Sequence, residues 1–228
     1  MSAVIAAVDL RTMFGAMRDQ RQRPTCMVFA ASDAHAGLRD GWTPLSCEYL
    51  FYRAITRAKR RPHQAAPLGE TLIALRKDGQ PPEEAWPYLP VTPPDPSTWL
   101  PPSPIGALFG RDGAAGTEEI AQVIAHVEAG TPVILLILLS DSFYRPDGSA
   151  VVSQANDELP DPNRRHAVIA VGTGQVAGEK VVLIRNSWGP KWGEGGYGWL
   201  TEKFLGPRLY ATAILKGDVD VSANSAAA

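Results

Sequence analysis

Three residues far apart in this sequence have the types that acyl chemistry at a carbonyl carbon needs. Cys26 opens an Ala-rich apolar run (CMVFAASDAHAG) directly after Pro24 and Thr25. Such a run reads as a helix with Thr25 at its N-cap and Gly37 at its C-terminal end. In that first turn the backbone N–H groups and the macrodipole favour a thiolate, which makes Cys26 a candidate nucleophile, although an isolated cysteine in an apolar run is equally a small core residue. His166 begins the run HAVIAVG 140 positions later, and Asn186 follows KVVLIR. A thiolate can attack a carbonyl, an imidazole can pair with it and then protonate the leaving amine, and an amide side chain can fix the tautomer of the ring.

The elements that must position these groups divide the chain into a helical part and a later strand-rich part. Further helices are expected at Ser46 to Lys59 and Leu68 to Lys77, the second closed by Asp78-Gly79, and a fourth at Thr117 to Glu128 under a Thr cap. Strands are expected at Val133 to Leu139, His166 to Gly172, Lys180 to Arg185 and Gly196 to Thr201. Ten of the twenty prolines fall between Pro81 and Pro104. Proline cannot continue a helix or a central strand, so this segment reads as an extended crossing between two lobes. The order predicts an α+β fold of two lobes, ending in a tail (SANSAAA) too polar and small-residue-rich to pack.

Composition bounds the partners. The 228 residues carry 22 Lys+Arg against 24 Asp+Glu, a formal charge of −2, which gives no general field for nucleic acid. The longest apolar run, VILLILL at Val133 to Leu139, is far too short to cross a bilayer, and the N-terminus lacks a basic segment and a secretory apolar core. Two cysteines make no disulfide framework, so the expected compartment is the cytoplasm. Cys47, inside the second helix, reads as a packed or half-exposed thiol. His35, His63 and His126 have no metal-ligand spacing with either cysteine, so neither metal nor cofactor is expected.

The motif after Asn186 adds a resemblance. Asn186-Ser187-Trp188-Gly189, Trp192-Gly193-Glu194 and Gly196-Tyr197-Gly198 resemble the segment that follows the catalytic Asn of the papain-like cysteine peptidases, in particular short bacterial members without a propeptide. Val8 to Arg11 and Arg18 to Gln20 are similar to the family's lead-in, Leu45-Ser46 and Tyr49-Leu50 to its second-helix start, and Trp86-Pro87-Tyr88 to a stretch before its inter-lobe crossing. The resemblance implies a helical left lobe from about Asp9 to Ile105, an antiparallel, barrel-like right lobe from about Gly106 to Lys216, a flexible tail over 217–228, and a cleft between the lobes. It implies Cys26 as nucleophile, His166 as general acid/base, Asn186 as orienter and Gln20, six residues before Cys26, as an oxyanion donor with the Cys26 N–H. Trp188 would shield the Asn–His hydrogen bond and line the substrate site, and Gly69 falls near the subsite that usually selects an apolar side chain. The implied substrate is a peptide or protein.

The departures from that pattern lie around the nucleophile. Where the family has Gly-x-Cys-Gly-Ser-Cys-Trp, this sequence has Arg21-Gln22-Arg23-Pro24-Thr25-Cys26-Met27, so both glycines and the Trp are replaced. Arg23 stands at the first disulfide cysteine of the family, in agreement with a reducing compartment. Arg21, Arg23, Arg164 and Arg165 flank the site motifs, which leaves two readings: solvated surface charges, or a cleft favouring acidic peptides with Arg165 as a contact. The altered turn also leaves two other functions beside hydrolysis, a pseudopeptidase that binds peptides and an acyl transferase acting through the same Cys, His and Asn.

Overall fold

The computed structural model of the chain describes residues 3–221. The chain divides into two compact units, one of residues 1–19 and 115–214 and the other of 20–114 and 215–228. These boundaries differ from a division of the chain into two consecutive lobes: the lead-in before Gln20 goes with the strands, and the residues after Ile214 go with the helices.

The helical unit is built on α1 (Cys26–Gly37), α2 (Cys47–Arg57) and α3 (Leu68–Lys77). Every residue of α1 after Cys26 is buried. A helix apolar on all sides belongs inside a core, and its alanines let neighbours approach on each face. Thr25 holds the cap position, but its hydroxyl bonds no N–H of α1. Ser46 does cap α2, accepting from the Tyr49 N–H at 3.0 Å. The left-handed φ of +66° at Gly79 turns the chain after α3, and an added Cβ there would meet the Phe109 carbonyl oxygen at 2.9 Å.

The proline-rich segment lies wholly inside this unit, which corrects its reading as the inter-lobe crossing. Its aromatic residues explain why. Trp86 and Trp99 are buried and pack against Tyr52 at ring-centroid separations of 5.6 and 5.1 Å. Proline excluded regular structure, as expected, but the tryptophans fold the segment back onto α2.

The strands of the open sheet are β1 (Ile5–Asp9), β2 (Gly110–Gly116), β3 (Val133–Leu138), β4 (Val151–Val152), β5 (Arg165–Val176), β6 (Glu179–Arg185), β7 (Tyr197–Thr201) and β8 (Leu209–Val219), with α4 (Ile120–Glu128) and α5 (Glu202–Leu205) between them. Most of the sheet belongs to the strand unit, while most of β2 and the end of β8 fall in the helical unit. The order is β2-β8-β3-β5-β6-β7-β4, with β1 on β5. The sheet does not close into a barrel, and β4 pairs with β7 in parallel, so the expected antiparallel barrel is an open, mixed sheet. α4 begins at Ile120 rather than Thr117, whose carbonyl accepts from the Thr212 hydroxyl at 2.7 Å instead of opening a helix. β1, β2 and β4 are not expected from the sequence because they are short or Gly- and Ala-rich, and β8 is a further strand that the sequence pattern does not mark. β8 runs through Val219, into the expected tail, while 222–228 lie outside the described residues.

β5 is the strand that matters for the site. Its first half pairs with β3, setting His166 opposite Ile137, and its second half pairs with β1. Gly172 permits this crowding, since a Cβ there would lie 2.7 Å from the Val8 carbonyl oxygen. A two-residue turn, Ala177-Gly178 with both φ positive, joins β5 to β6.

Candidate active site

The strand unit brings His166, Asn186 and Trp188 together. Ile169 lies opposite Arg185 in the β5–β6 ladder, so Asn186, the next residue, is delivered beside the start of β5. His166 Nε2 and Asn186 Oδ1 are 2.7 Å apart. Asn186 Oδ1 also accepts from the Ser187 N–H at 2.8 Å. That second donor fixes the amide with its oxygen toward the ring, so Nε2 carries the proton and Nδ1 is left as the basic nitrogen. Burial holds the His166 imidazole down to about 4, with the Asn186 bond acting weakly the other way. Without an anionic partner this histidine is therefore neutral.

An aromatic cluster surrounds the ring. Trp188 lies 4.7 Å from it. Phe143 meets it edge-on at 5.8 Å and Tyr144 stacks on Trp188 at 5.3 Å, and neither was identified from sequence. The signal was available: Ser142-Phe143-Tyr144 closely follows the longest apolar strand. Trp192 stacks on Phe143 and donates from Nε1 to its carbonyl at 3.0 Å.

Arg185 fastens the lead-in to the strand unit. It is buried and donates to the carbonyls of Gly15 at 3.2 Å and Ala16 at 2.9 Å and to the Tyr197 hydroxyl at 2.7 Å. Asp19 pairs with Trp188, and the Gly189 N–H donates to the Arg18 carbonyl at 3.2 Å. Gly189 has φ +74°, and a Cβ there would touch the Asp19 side chain at 3.0 Å.

The helical unit carries Gln20 and Cys26. Cys26 is the first residue of α1 and is half-buried, while Cys47 is fully buried with Sγ 3.9 Å from the Val28 carbonyl oxygen. Between Gln20 and Cys26 runs a turn in which Arg21 has φ +55°, a conformation uncommon for a residue with a side chain. The Gln20 amide is buried and donates from Nε2 to the Arg23 carbonyl at 2.9 Å.

Arg23 is not a cleft cation. Its guanidinium is buried, donating to Glu48 at 2.6 and 3.0 Å and to the Leu89 carbonyl at 2.6 Å. It also lies over the Tyr88 and Phe51 rings at 5.0 and 5.2 Å. Glu48 accepts as well from Trp99 Nε1 at 2.7 Å and the Leu89 N–H at 3.1 Å. Arg164 is neutralised on the surface by Asp141 at 2.6 Å and Asp161 at 3.1 Å. Arg165 is exposed; its guanidinium lies 5.6 Å from the Tyr210 ring, and strand alternation points it away from His166. These placements remove two of the four cations from the acidic-peptide reading. Gly69 lies exposed in the first turn of α3 with nothing within 4 Å of an added Cβ. Among the described residues, no cluster of three or more His, Cys, Asp or Glu side chains could hold a metal ion, and no helix is long and apolar enough to cross a membrane.

Comparison with known proteins gives partial sequence matches and a shared fold. Residues 111–205 match the papain family of cysteine proteases. A cysteine protease of Blomia tropicalis is 39% identical over 80 residues, which are 34% of this chain and 23% of that protein. Papaya proteinase 4 of Carica papaya is 62% identical over 32 residues, 14% of this chain and 9% of that protein. The matches thus span about a quarter or less of these relatives. Over nearly the whole fold, the structure resembles xylellain, a cysteine protease from Xylella fastidiosa, with TM-score 0.72 and 20% identity over 94% of this chain and 87% of that one. It also resembles the bromelain protease from Ananas comosus, with TM-score 0.67 and 19% identity over 92% and 97% of the two chains.

Proposed function

We propose that this chain, which is papain-like in family and fold, is a cysteine peptidase whose nucleophile is Cys26, whose acid/base is His166 and whose orienter is Asn186. The observation that carries this reading is the 2.7 Å His166–Asn186 bond beside the Trp188 ring. Asp19 is paired with Trp188, and Cys26 follows only seven positions after Asp19 in the sequence.

The Cys26 thiolate would attack the peptide carbonyl, forming a C–S bond and placing charge on oxygen, which the Gln20 amide and the Cys26 N–H would receive. Imidazolium His166 gives its proton to the leaving nitrogen as the C–N bond breaks, leaving a thioester. Neutral His166 then takes a proton from water as its oxygen bonds the acyl carbon. Collapse of that second oxyanion breaks the C–S bond and restores the thiolate and imidazolium. Burial alone would keep His166 neutral above pH of about 4, so the charged ring depends on the thiolate.

Trp188, with Tyr144 stacked on it, offers an aromatic face to a substrate side chain. Arg165 and Gly69, both exposed, are proposed contacts of an extended peptide or protein substrate. A buried Arg23 at the family's disulfide position supports a reducing compartment such as the cytoplasm. The altered turn is the observation that favours a binding-only or acyl-transfer role instead.

The test is turnover of a mixed peptide library by the parent, Cys26→Ala and Cys47→Ala proteins, together with the pH profile of Cys26 alkylation. The expected result is hydrolysis lost to background in Cys26→Ala and retained in Cys47→Ala, with an alkylation plateau at mildly acidic pH. Ligated products would indicate acyl transfer. A single rise near the free-thiol value of about 8.5, without turnover, would mark a peptide-binding protein.

A further inference from the structure

We propose that Tyr88 is a positioning residue for the reaction, its hydroxyl clamping the turn that joins the oxyanion donor Gln20 to the nucleophile Cys26. The inference rests on the peptidase reading given above. Tyr88 Oη donates to the Gln20 backbone carbonyl at 2.7 Å and lies 2.8 Å from Thr25 Oγ1. Tyrosine has one hydroxyl hydrogen, so with that hydrogen on Gln20 the Thr25 hydroxyl is the donor in the second bond. One atom therefore ties the residue carrying the oxyanion amide to the residue preceding the thiol.

The clamp is needed because of what this sequence has lost. Glycines would let such a turn settle without steric cost, but here Arg21 adopts φ +55° and Pro24 stiffens the approach to α1. Thr25 stands where a capping hydroxyl would bond the first turn of α1, yet its hydroxyl is given to Tyr88. The phenol is itself fixed from three sides: its ring packs edge-on to Phe29 of α1 at 4.7 Å, the Arg23 guanidinium lies 5.0 Å from the ring centroid, and its backbone N–H donates to Glu83 at 2.9 Å. Burial pushes the phenol up to about 12, which keeps its hydrogen in place throughout the range in which a thiolate–imidazolium pair works. The Gln20 side chain, bonded to the Arg23 carbonyl, completes the turn from inside.

The experiment compares Tyr88→Phe with the parent in hydrolysis, alkylation and amide exchange. A small displacement of an oxyanion donor slows a reaction while leaving a simple thiol reactive, so kcat should fall roughly 10- to 100-fold with KM within about twofold. Haloacetamide alkylation of Cys26 should change by less than about threefold. Hydrogen exchange of amides 20–26 should rise about tenfold or more, while that of β5 and β6 stays as in the parent. Thr25→Val should give a smaller loss of the same kind, and Thr25→Ser, which keeps the hydroxyl, should recover most of it.

Unchanged kcat in Tyr88→Phe, or parallel falls in hydrolysis, alkylation and thermal stability, would overturn the positioning role. A parent that turns over peptides equally well as Cys26→Ala would instead overturn the peptidase reading. In that case exchange at 20–26 still decides whether Tyr88 holds the turn.

Discussion

His166 and Asn186 stand at the ends of strands whose backbones are laddered to neighbours, whereas Gln20 and Cys26 are joined by an irregular turn held mainly by side chains. In the strand unit, the β5–β6 register brings Asn186 to the ring, and the aromatic cluster around Trp188 packs against that ring. In the helical unit, Tyr88, Arg23 and Glu48 do the work that a ladder does elsewhere. A sheet tolerates sequence change as long as its pattern of apolar residues survives. A side-chain network survives only if all its partners are kept, because each buried polar group left alone costs about 1–3 kcal/mol.

Breaking the Arg23–Glu48 pair should give the largest effect on stability. Glu48 accepts four hydrogen bonds in the core, and Glu48→Ala would leave the Arg23 guanidinium buried without its carboxylate. The expected loss in unfolding free energy is roughly 3–5 kcal/mol, whereas replacing both partners with apolar residues of similar volume should recover much of it. Asn186→Ala, at the strand end, takes one acceptor from His166 and from the Ser187 N–H and should lose about 1–3 kcal/mol, less than Glu48→Ala, while lowering turnover. Chemical denaturation of the three variants checks this, and equal losses from Glu48→Ala and Asn186→Ala would erase the distinction between the two regions.

The role proposed for Gln20 separates the two regions by chemistry. If Gln20 is the proposed oxyanion donor, Gln20→Ala should slow peptide hydrolysis by roughly 10²- to 10³-fold, while haloacetamide alkylation, which needs only the thiolate, changes little. If both rates fell together, Gln20 would be supporting the turn through its bond to the Arg23 carbonyl. Stopped-flow alkylation beside steady-state turnover reads the two rates.

The same contrast explains what could be read in the sequence. Asn186 to Gly198 was legible because its requirements are local: glycines where φ is positive or backbone approaches closely, tryptophans where a ring must cover a bond. α1 and α3 were legible to the residue because a buried helix and a Gly79 stop leave few alternatives. Arg23 was misread because its partner, Glu48, is 25 residues away and nothing in the local pattern marks a buried ion pair. Phe143 and Tyr144 were missed for a related reason, their role being set by which ring they meet across the fold. β1 escaped because its five residues, IAAVD, lack the alternation that a sequence displays.

The two buried histidines give the finest test, one in each unit and both pushed by burial to about 4. His35, in the last turn of α1, is structural: its Nδ1 meets Gln80 Oε1 at 3.1 Å. A histidine at about 4 when folded and about 6.5 when unfolded binds more protons in the unfolded chain between those values. Stability should therefore fall as pH drops below about 6.5, by about 2 kcal/mol per such group at pH 5, and the loss is complete only below pH of about 4. His35→Gln should remove one such share from the acid loss whatever the state of the active site. His166 adds a second share of about the same size. A thiolate–imidazolium pair with Cys26 would leave the sum unchanged, because that pair holds the same number of protons as a neutral thiol beside a neutral imidazole. Denaturant unfolding across pH should therefore show the same acid slope for Cys26→Ala as for the parent and a shallower one for His35→Gln; an unaltered slope in His35→Gln would mean that His35 keeps its ordinary value in the folded chain.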